Sequence, residues 1–316
     1  MHKKIKIIFS GSSEFSAQHL KFLIKNNIKI IAVLTPPNKP FGRGKKIVEN
    51  PVYKISKKYN IVIFNPTNLK SEDIYINLKK MKADMMIVVS YGLIFPKKIL
   101  DIFPLGCINL HTSILPRWRG PSPIQSAILH GDNKTGVTTI YMDKGMDSGP
   151  IIHTIECNIK KKMTSLELNN KLIKIGKKCL LYSLKKIFIQ KNICTIQNIK
   201  NVTYTKKIKK QDAKIKWNKT AIEIERVIRA YNPWPVAYFN YKNINIKVWK
   251  SSIEKKNYIG ASIGEICCSD KIGLKIQTKN FCIRIEKIQF PGKKIINFYD
   301  FLNSKKEFFI IGSIIV

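Results

Sequence analysis

Three polar side chains carry the chemistry this sequence can do: Asn109, His111 and Asp147. Asn109 and His111 stand two residues apart at the end of a short apolar run that begins at Cys107, so in a strand they share one face. Asp147 lies in a glycine-rich turn, Asp143 to Gly149, at the end of a second run, Gly136 to Met142. An amide, an imidazole and a carboxylate that converge at strand ends suit acyl transfer. The amide can hold a developing oxyanion, worth about 3–4 kcal/mol for one well-aimed donor. The imidazole can donate or shuttle a proton near neutral pH. The carboxylate can orient or charge the imidazole, or accept a proton through water. An isolated Asn-x-His is most often a packed core histidine beside turn residues, so the weight rests on the composite.

The elements that must position these groups read in sequence as an α/β domain. Ile5 to Phe9 is an apolar strand, and Ser12 or Ser13 caps a helix whose buried stripe is Ala17, Leu20 and Ile24. Ile30 to Leu34 and Ile61 to Phe64 are further strands, and Ser71 caps a helix to about Lys80. Asp84 to Ser90 is continuously apolar between its ends, as expected where both faces of a parallel sheet are covered. This order is that of a doubly wound, Rossmann-like parallel sheet. It lacks a full G-x-G-x-x-G, so a dinucleotide is not supported.

Thr112 to Pro121 is a loop rich in proline and arginine, and Ser122 and Pro123 predict the cap and first residue of a helix. Ile151 to Ile159 is a strand, and Thr164 caps a long helix to about Phe188 with Glu167 at the capping-box position. The catalytic domain is therefore expected over 1–188. Residues 189–208 are polar, basic and weakly periodic, and read as a linker. A second domain is expected over 209–316. It opens with a helix, Ala221 to Ala230, ended by Asn232-Pro-Trp-Pro235. Short alternating runs follow at Ala237–Tyr241, Ile244–Trp249, Ile263–Cys267, Gly273–Gln277 and Phe281–Ile288, and these predict a small β-barrel.

Composition bounds the function. With 316 residues and 44% hydrophobic content, two cored domains are affordable. No apolar run reaches membrane-spanning length, and the first is too short for a signal peptide. Seven scattered cysteines without a CxxC pair read as reduced thiols in a cytoplasmic protein. The few histidines are widely spaced and lack carboxylate company, so no metal is expected. The net charge of +37 suggests a polyanionic partner. Yet 51 of the 57 basic residues are lysine, a skew that fits an A+T-rich genome as well as RNA binding. The six arginines are the more useful clue, and Arg43, Arg117 and Arg119 fall in two loops assigned to the site. Arg43 sits between two glycines in the loop Thr35 to Asn50, which leaves the carboxyl end of a strand; with Lys45 and Lys46 it can reach phosphates. Lys206, Lys207, Lys209 and Lys210 form a basic run that is as well explained as a solvated linker.

The string Asn109-Leu-His-x-Ser-x-Leu-Pro-x-x-Arg-Gly120, followed by Asp147-x-Gly149, resembles the formyltransferases that use 10-formyltetrahydrofolate. The resemblance covers nearly the whole chain and is nearest to the branch that acts on methionyl-tRNA. It implies a Rossmann-like catalytic domain followed by an OB-like barrel that helps bind tRNA, with Asn109, His111 and Asp147 catalytic. It implies that Ser113, Ile114, Leu115 and Pro116, together with Tyr91, Gly92 and Leu93, shape the folate pocket. It places Arg43 on the arginine that contacts the acceptor end of initiator tRNA; Lys45, Lys46, Lys207 and Lys209 are expected as further tRNA contacts from their charge and position. The partners implied are 10-formyltetrahydrofolate and initiator methionyl-tRNA, with no metal, no membrane and a monomeric chain. Thr112, Ile114, Pro121-Ser122 and Ser148 depart from the residues common in the family, all at the pocket rim. Formyl transfer to a small amine is the competing enzymatic reading, and an RNA-binding protein with a decayed enzyme domain the competing non-enzymatic one.

Overall fold

A computed structural model describes residues 5–41, 46–189, 194–304 and 307–315. The chain opens with β1 (Ile7–Gly11), α1 (Glu14–Lys25) and β2 (Ile30–Leu34). Two short antiparallel strands, β3 (Lys39–Phe41) and β4 (Lys46–Val48), stand where the sequence predicted only a loop. Then come α2 (Pro51–Lys58), β5 (Val62–Phe64), α3 (Glu72–Lys80), β6 (Met85–Val89) and α4 (Lys97–Leu100). They are followed by β7 (Cys107–His111), α5 (Pro123–Leu129), β8 (Lys134–Tyr141), β9 (Ile151–Asn158) and α6 (Ser165–Ile189). The remainder holds α7 (Ala221–Ala230), β10 (Tyr238–Tyr241), β11 (Ile244–Glu254), β12 (Ile266–Asp270) and β13 (Gly273–Gln277). It closes with β14 (Cys282–Gln289), β15 (Ile296–Asn297) and α8 (Phe298–Ser304).

The first sheet has the order β5-β2-β1-β6-β7-β8-β9. Pairing is parallel from β5 through β7 and antiparallel between β7 and β8, so the expected parallel sheet is mixed at that edge. Between β7 and β8 the chain makes a loop and the seven-residue α5, and β8 returns beside β7 antiparallel. Alternate strand residues divide between two cores. Ile8, Ala32, Leu34, Met86, Val88 and Cys107 pack with α3, α4, Phe95 and Phe103. On the other face α6 meets the sheet through Cys179, whose thiol contacts Thr139 and Val137, and through Gly176, where a Cβ would lie 3.1 Å from Leu110 Cδ2 and 2.6 Å from Nε2 of His19 on α1.

Local chemistry starts the helices. Ser13 and Ser16 form a capping box on α1, Asn50 caps α2, Thr164 and Glu167 exchange bonds ahead of α6, and Thr220 and Glu223 do so ahead of α7. Ser71 sits at the cap of α3 but makes no side-chain cap bond.

The chain forms two compact units. One comprises Met1–Pro123, Thr135–Cys157 and Asn169–Thr205; the other comprises Ile124–Lys134, Asn158–Leu168 and Lys206–Val316. In the second unit the sheet runs β10-β11-β14-β13-β12, with β15 beside β14. Its neighbours are all antiparallel, and register shifts at Val248/Lys250 and Lys250/Ser251 bend β11. Among the described residues β10 and β12 do not pair, so the sheet is a curled half-barrel rather than a closed barrel. Lone bridges join Lys214 to Tyr238 in β10 and Ile314 to Glu265, just ahead of β12. Phe239, Phe298, Phe301 and Phe309 fill the concave side with Trp217 and the inward residues of α7.

Candidate active site

A parallel strand covered on both faces should be apolar to its end. β7 is not: Cys107, Ile108 and Leu110 are buried as expected, whereas Asn109 is half-exposed and His111 is buried but polar. By alternation Asn109 and His111 lie on the face of Cys107, the face that packs against α3 and α4. Tyr91 and Leu93 pack against the same core, and the segment that carries them leaves the carboxyl end of β6, the strand paired with β7.

Asp147 reaches this place from the turn between β8 and β9. The turn is tight: a Cβ on Gly149 would come 1.8 Å from the carbonyl oxygen of Tyr141. Asp143 holds the turn from within by accepting bonds from the backbone of Gly145 and the hydroxyl of Ser148. Asp147 itself has a left-handed backbone, φ +51°, uncommon for a residue with a side chain.

The three expected residues come together around the Asp147 carboxylate. Asn109 Nδ2 donates to Oδ1 at 2.9 Å, the backbone N–H of Gly120 donates to Oδ2 at 2.8 Å, and His111 Nδ1 lies 3.4 Å from Oδ2. On its other side His111 Nε2 lies 2.8 Å from the carbonyl oxygen of Trp118. A carbonyl only accepts, so Nε2 carries a proton. Both ring nitrogens therefore face oxygens, Nε2 at hydrogen-bond distance and Nδ1 at 3.4 Å. Neither nitrogen points to open space, whereas Asn109 uses only one of its two N–H groups on Asp147.

The other expected site residues divide. Ser113 is fully buried and its hydroxyl donates to the carbonyl of Arg117, while its own carbonyl accepts from Thr138. Leu115 is 4% exposed and packed inside. These two shape the loop from within, and Ile114 and Pro116 are the half-exposed members able to face a ligand. Gly92 is exposed, and a Cβ there would meet nothing within 4 Å. The hydroxyl of Tyr91 is buried with no hydrogen-bond partner among the described residues, and burial pushes its pKa up to about 12, so it stays a neutral donor. Arg43 and Lys45, and the side chain of Lys46, lie outside the described residues. Lys207 and Lys209 are exposed at the start of the second unit.

Sequence reasoning missed the segment around Gln197. The stretch expected as a linker belongs, up to Thr205, to the first unit. Its residues hold the loop that carries Gly120. Thr203 accepts from the backbone of Trp118 and of Arg119, Thr205 N donates to the carbonyl of Arg119, and Thr205 Oγ1 accepts from Ser122 N. Gly120 has φ +108°, and a Cβ on it would meet Thr205 Oγ1 at 2.9 Å, so glycine is needed there twice over. Arg119, one of the arginines in a loop assigned to the site, is 6% exposed and turned to Gln197, whereas Arg117 is exposed and lies over the Trp118 ring. The one signal in the sequence was the alternation Thr203-Tyr204-Thr205, with both threonines turned to the loop and Tyr204 exposed.

Comparison with known proteins adds to this geometry. Residues 3–184 match the family described as Formyl transferase, and residues 207–306 match Formyl transferase, C-terminal domain. A methionyl-tRNA formyltransferase of Buchnera aphidicola subsp. Acyrthosiphon pisum (strain Tuc7) is 50% identical over 313 residues, covering 99% of this chain and 100% of the relative. One of Buchnera aphidicola subsp. Schizaphis graminum (strain Sg) is 50% identical over 315 residues, with the same shares. The solved structure of WlaRD, a sugar 3N-formyl transferase in the presence of dTdp and 5-N-Formyl-THF, superposes with a TM-score of 0.66 at 22% identity. That match covers 92% of this chain and 100% of the other, and it speaks for a shared fold. With both of its parts matched and half of its residues shared with full-length relatives, the chain belongs to the formyl transferase family, in the group of the methionyl-tRNA formyltransferases.

Proposed function

We propose that this enzyme moves the formyl group of 10-formyltetrahydrofolate onto the α-amino group of methionyl-initiator tRNA, giving N-formylmethionyl-tRNA for translation initiation in the cytoplasm. The observation that carries the reading is the Asp147 carboxylate, gripped by Asn109 and Gly120 and faced by His111 at the strand ends. The acceptor is inferred from the full-length relatives, which are named for it.

The folate supplies a formyl carbon activated on a nitrogen that can leave. The wall for its ring fits the residues present: an unpartnered phenol at Tyr91, an open edge at Gly92 and half-buried Leu93. Asn109 offers its second N–H to the formyl oxygen as that oxygen gains charge, the role of a preorganised donor. Asp147 takes the proton that the attacking amine loses, directly or through water. His111, fixed by the Trp118 carbonyl, faces the carboxylate, and the pair hands a proton to the leaving nitrogen. Arg43, Lys45, Lys46, Lys207 and Lys209 serve the phosphates of the tRNA, an attraction that weakens with salt.

The test is transfer of labelled formyl to methionyl-initiator tRNA, methionyl-elongator tRNA, an amino sugar nucleotide and glycinamide ribonucleotide in parallel. Preference for the initiator tRNA is expected. Equal or better transfer to a small amine would overturn the reading.

A further inference from the structure

We propose that Gln197 is a positioning residue for the transfer, holding the Asp147 carboxylate in its working place from outside the catalytic motif. The inference rests on the reaction just proposed. Gln197 is 5% exposed, and its amide is committed on both sides. Nε2 donates to the carbonyl oxygens of Asp147 at 2.8 Å and Gly149 at 2.7 Å. Oε1 accepts from Arg119 Nε at 3.0 Å and Nη2 at 2.8 Å. Two donors and a twice-used acceptor in one plane are what a carboxamide supplies; a carboxylate has no donor, and a lysine or arginine no acceptor.

The bonds close a ring. Arg119 reaches through Gln197 to the backbone of Asp147, and Gly120, the residue after Arg119, donates its N–H to the Asp147 carboxylate. Both ends of Asp147 are thus tied to one dipeptide. Its left-handed backbone makes such a tether necessary, because a strained residue keeps its conformation only where its surroundings over-determine it. The Thr203 and Thr205 bonds to the same loop anchor the ring to the rest of the 195–205 segment. Among the described residues Gln197 makes no hydrogen bond to the side chains of Asn109, His111 or Asp147, so it acts through the Asp147 backbone.

Two variants of the full chain test this, Gln197→Glu and Gln197→Ala. The first keeps shape, volume and the Arg119 contact but loses both donors to the turn. Each is expected to lower kcat about 10–100-fold, the scale of a misplacement near 1 Å, with KM for both substrates within about twofold. A second readout is independent of turnover: the ring resonances of His111 in nitrogen-resolved NMR should move in Gln197→Glu as they do in Asp147→Asn, with those of His19, His130 and His153 in place. Wild-type kcat with unmoved His111 resonances in Gln197→Glu would overturn the proposal. A rise in KM at unchanged kcat would overturn it too. If the wild type fails to formylate methionyl-tRNA, the proposed reaction falls, and the His111 resonances still decide the role of Gln197.

Discussion

Replacing Asp147 by asparagine isolates the carboxylate from the shape of the site. The two side chains are isosteric, yet Asp147 accepts from donors on both oxygens: Asn109 Nδ2 at 2.9 Å on one and Gly120 N–H at 2.8 Å on the other. Whichever way the new amide turns, its NH2 meets a donor, so one charge-assisted bond is lost, costing about 1.5–3 kcal/mol of stability. The charge that faces His111 Nδ1 at 3.4 Å goes as well. If the carboxylate accepts the amine's proton, removal of that general base slows the chemical step by about 10²–10⁴. In free energy that is about 3–5 kcal/mol. The assay is single-turnover formylation of methionyl-tRNA at saturating 10-formyltetrahydrofolate, with a thermal melt of the same preparation. Binding of tRNA should change little, because the acid is only 16% exposed and its oxygens are held by Asn109 and Gly120. A folded Asp147→Asn that transfers within tenfold of wild type, less than about 1.4 kcal/mol, refutes the assignment of the proton acceptor.

Asn109→Ala removes a donor both to the formyl oxygen and to Asp147, and kcat should fall about 10²–10³-fold, read in the same assay. His111→Ala should cost at least about 10²-fold, since the Asp147 charge loses its partner; two near-normal rates would move the active site elsewhere. Arg43→Ala should raise KM for tRNA about tenfold and flatten the salt dependence of KM by about one phosphate contact; full-rate transfer at unchanged KM would remove that loop from the tRNA site. His19 predicts an acid limit on stability. Burial lowers its pKa to about 4, the nearby Lys177 cation acts in the same sense, and the Phe15 carbonyl that accepts from Nδ1 opposes them. The unfolded ring, at 6.5, takes up a proton first, so stability is full above that pH and falls as pH drops from 6.5 towards about 4, by about 3 kcal/mol in all. Denaturant titrations of wild type and His19→Leu at pH 7 and pH 5 check it; parallel losses would acquit His19.

The amino-acid sequence by itself determined the elements and the chemistry they could support. Apolar runs placed β2, β6 and β13, the Thr164 cap placed α6 and the prolines after Asn232 bounded α7, because these signals act over a few residues. The two-residue spacing of Asn109 and His111 put them on one face for the same local reason. The tertiary structure alone decided what faces what. The bond from Asn109 to Asp147 spans 38 residues, that from Gln197 to Asp147 spans 50, and that from Arg119 to Gln197 spans 78. No local propensity encodes such pairings, which depend on how the sheet and the turn pack. So it was packing that turned His111's nitrogens away from open space, buried Ser113 and Arg119, returned β8 antiparallel, left the second sheet open, and drew a polar stretch with no motif of its own against the catalytic loop.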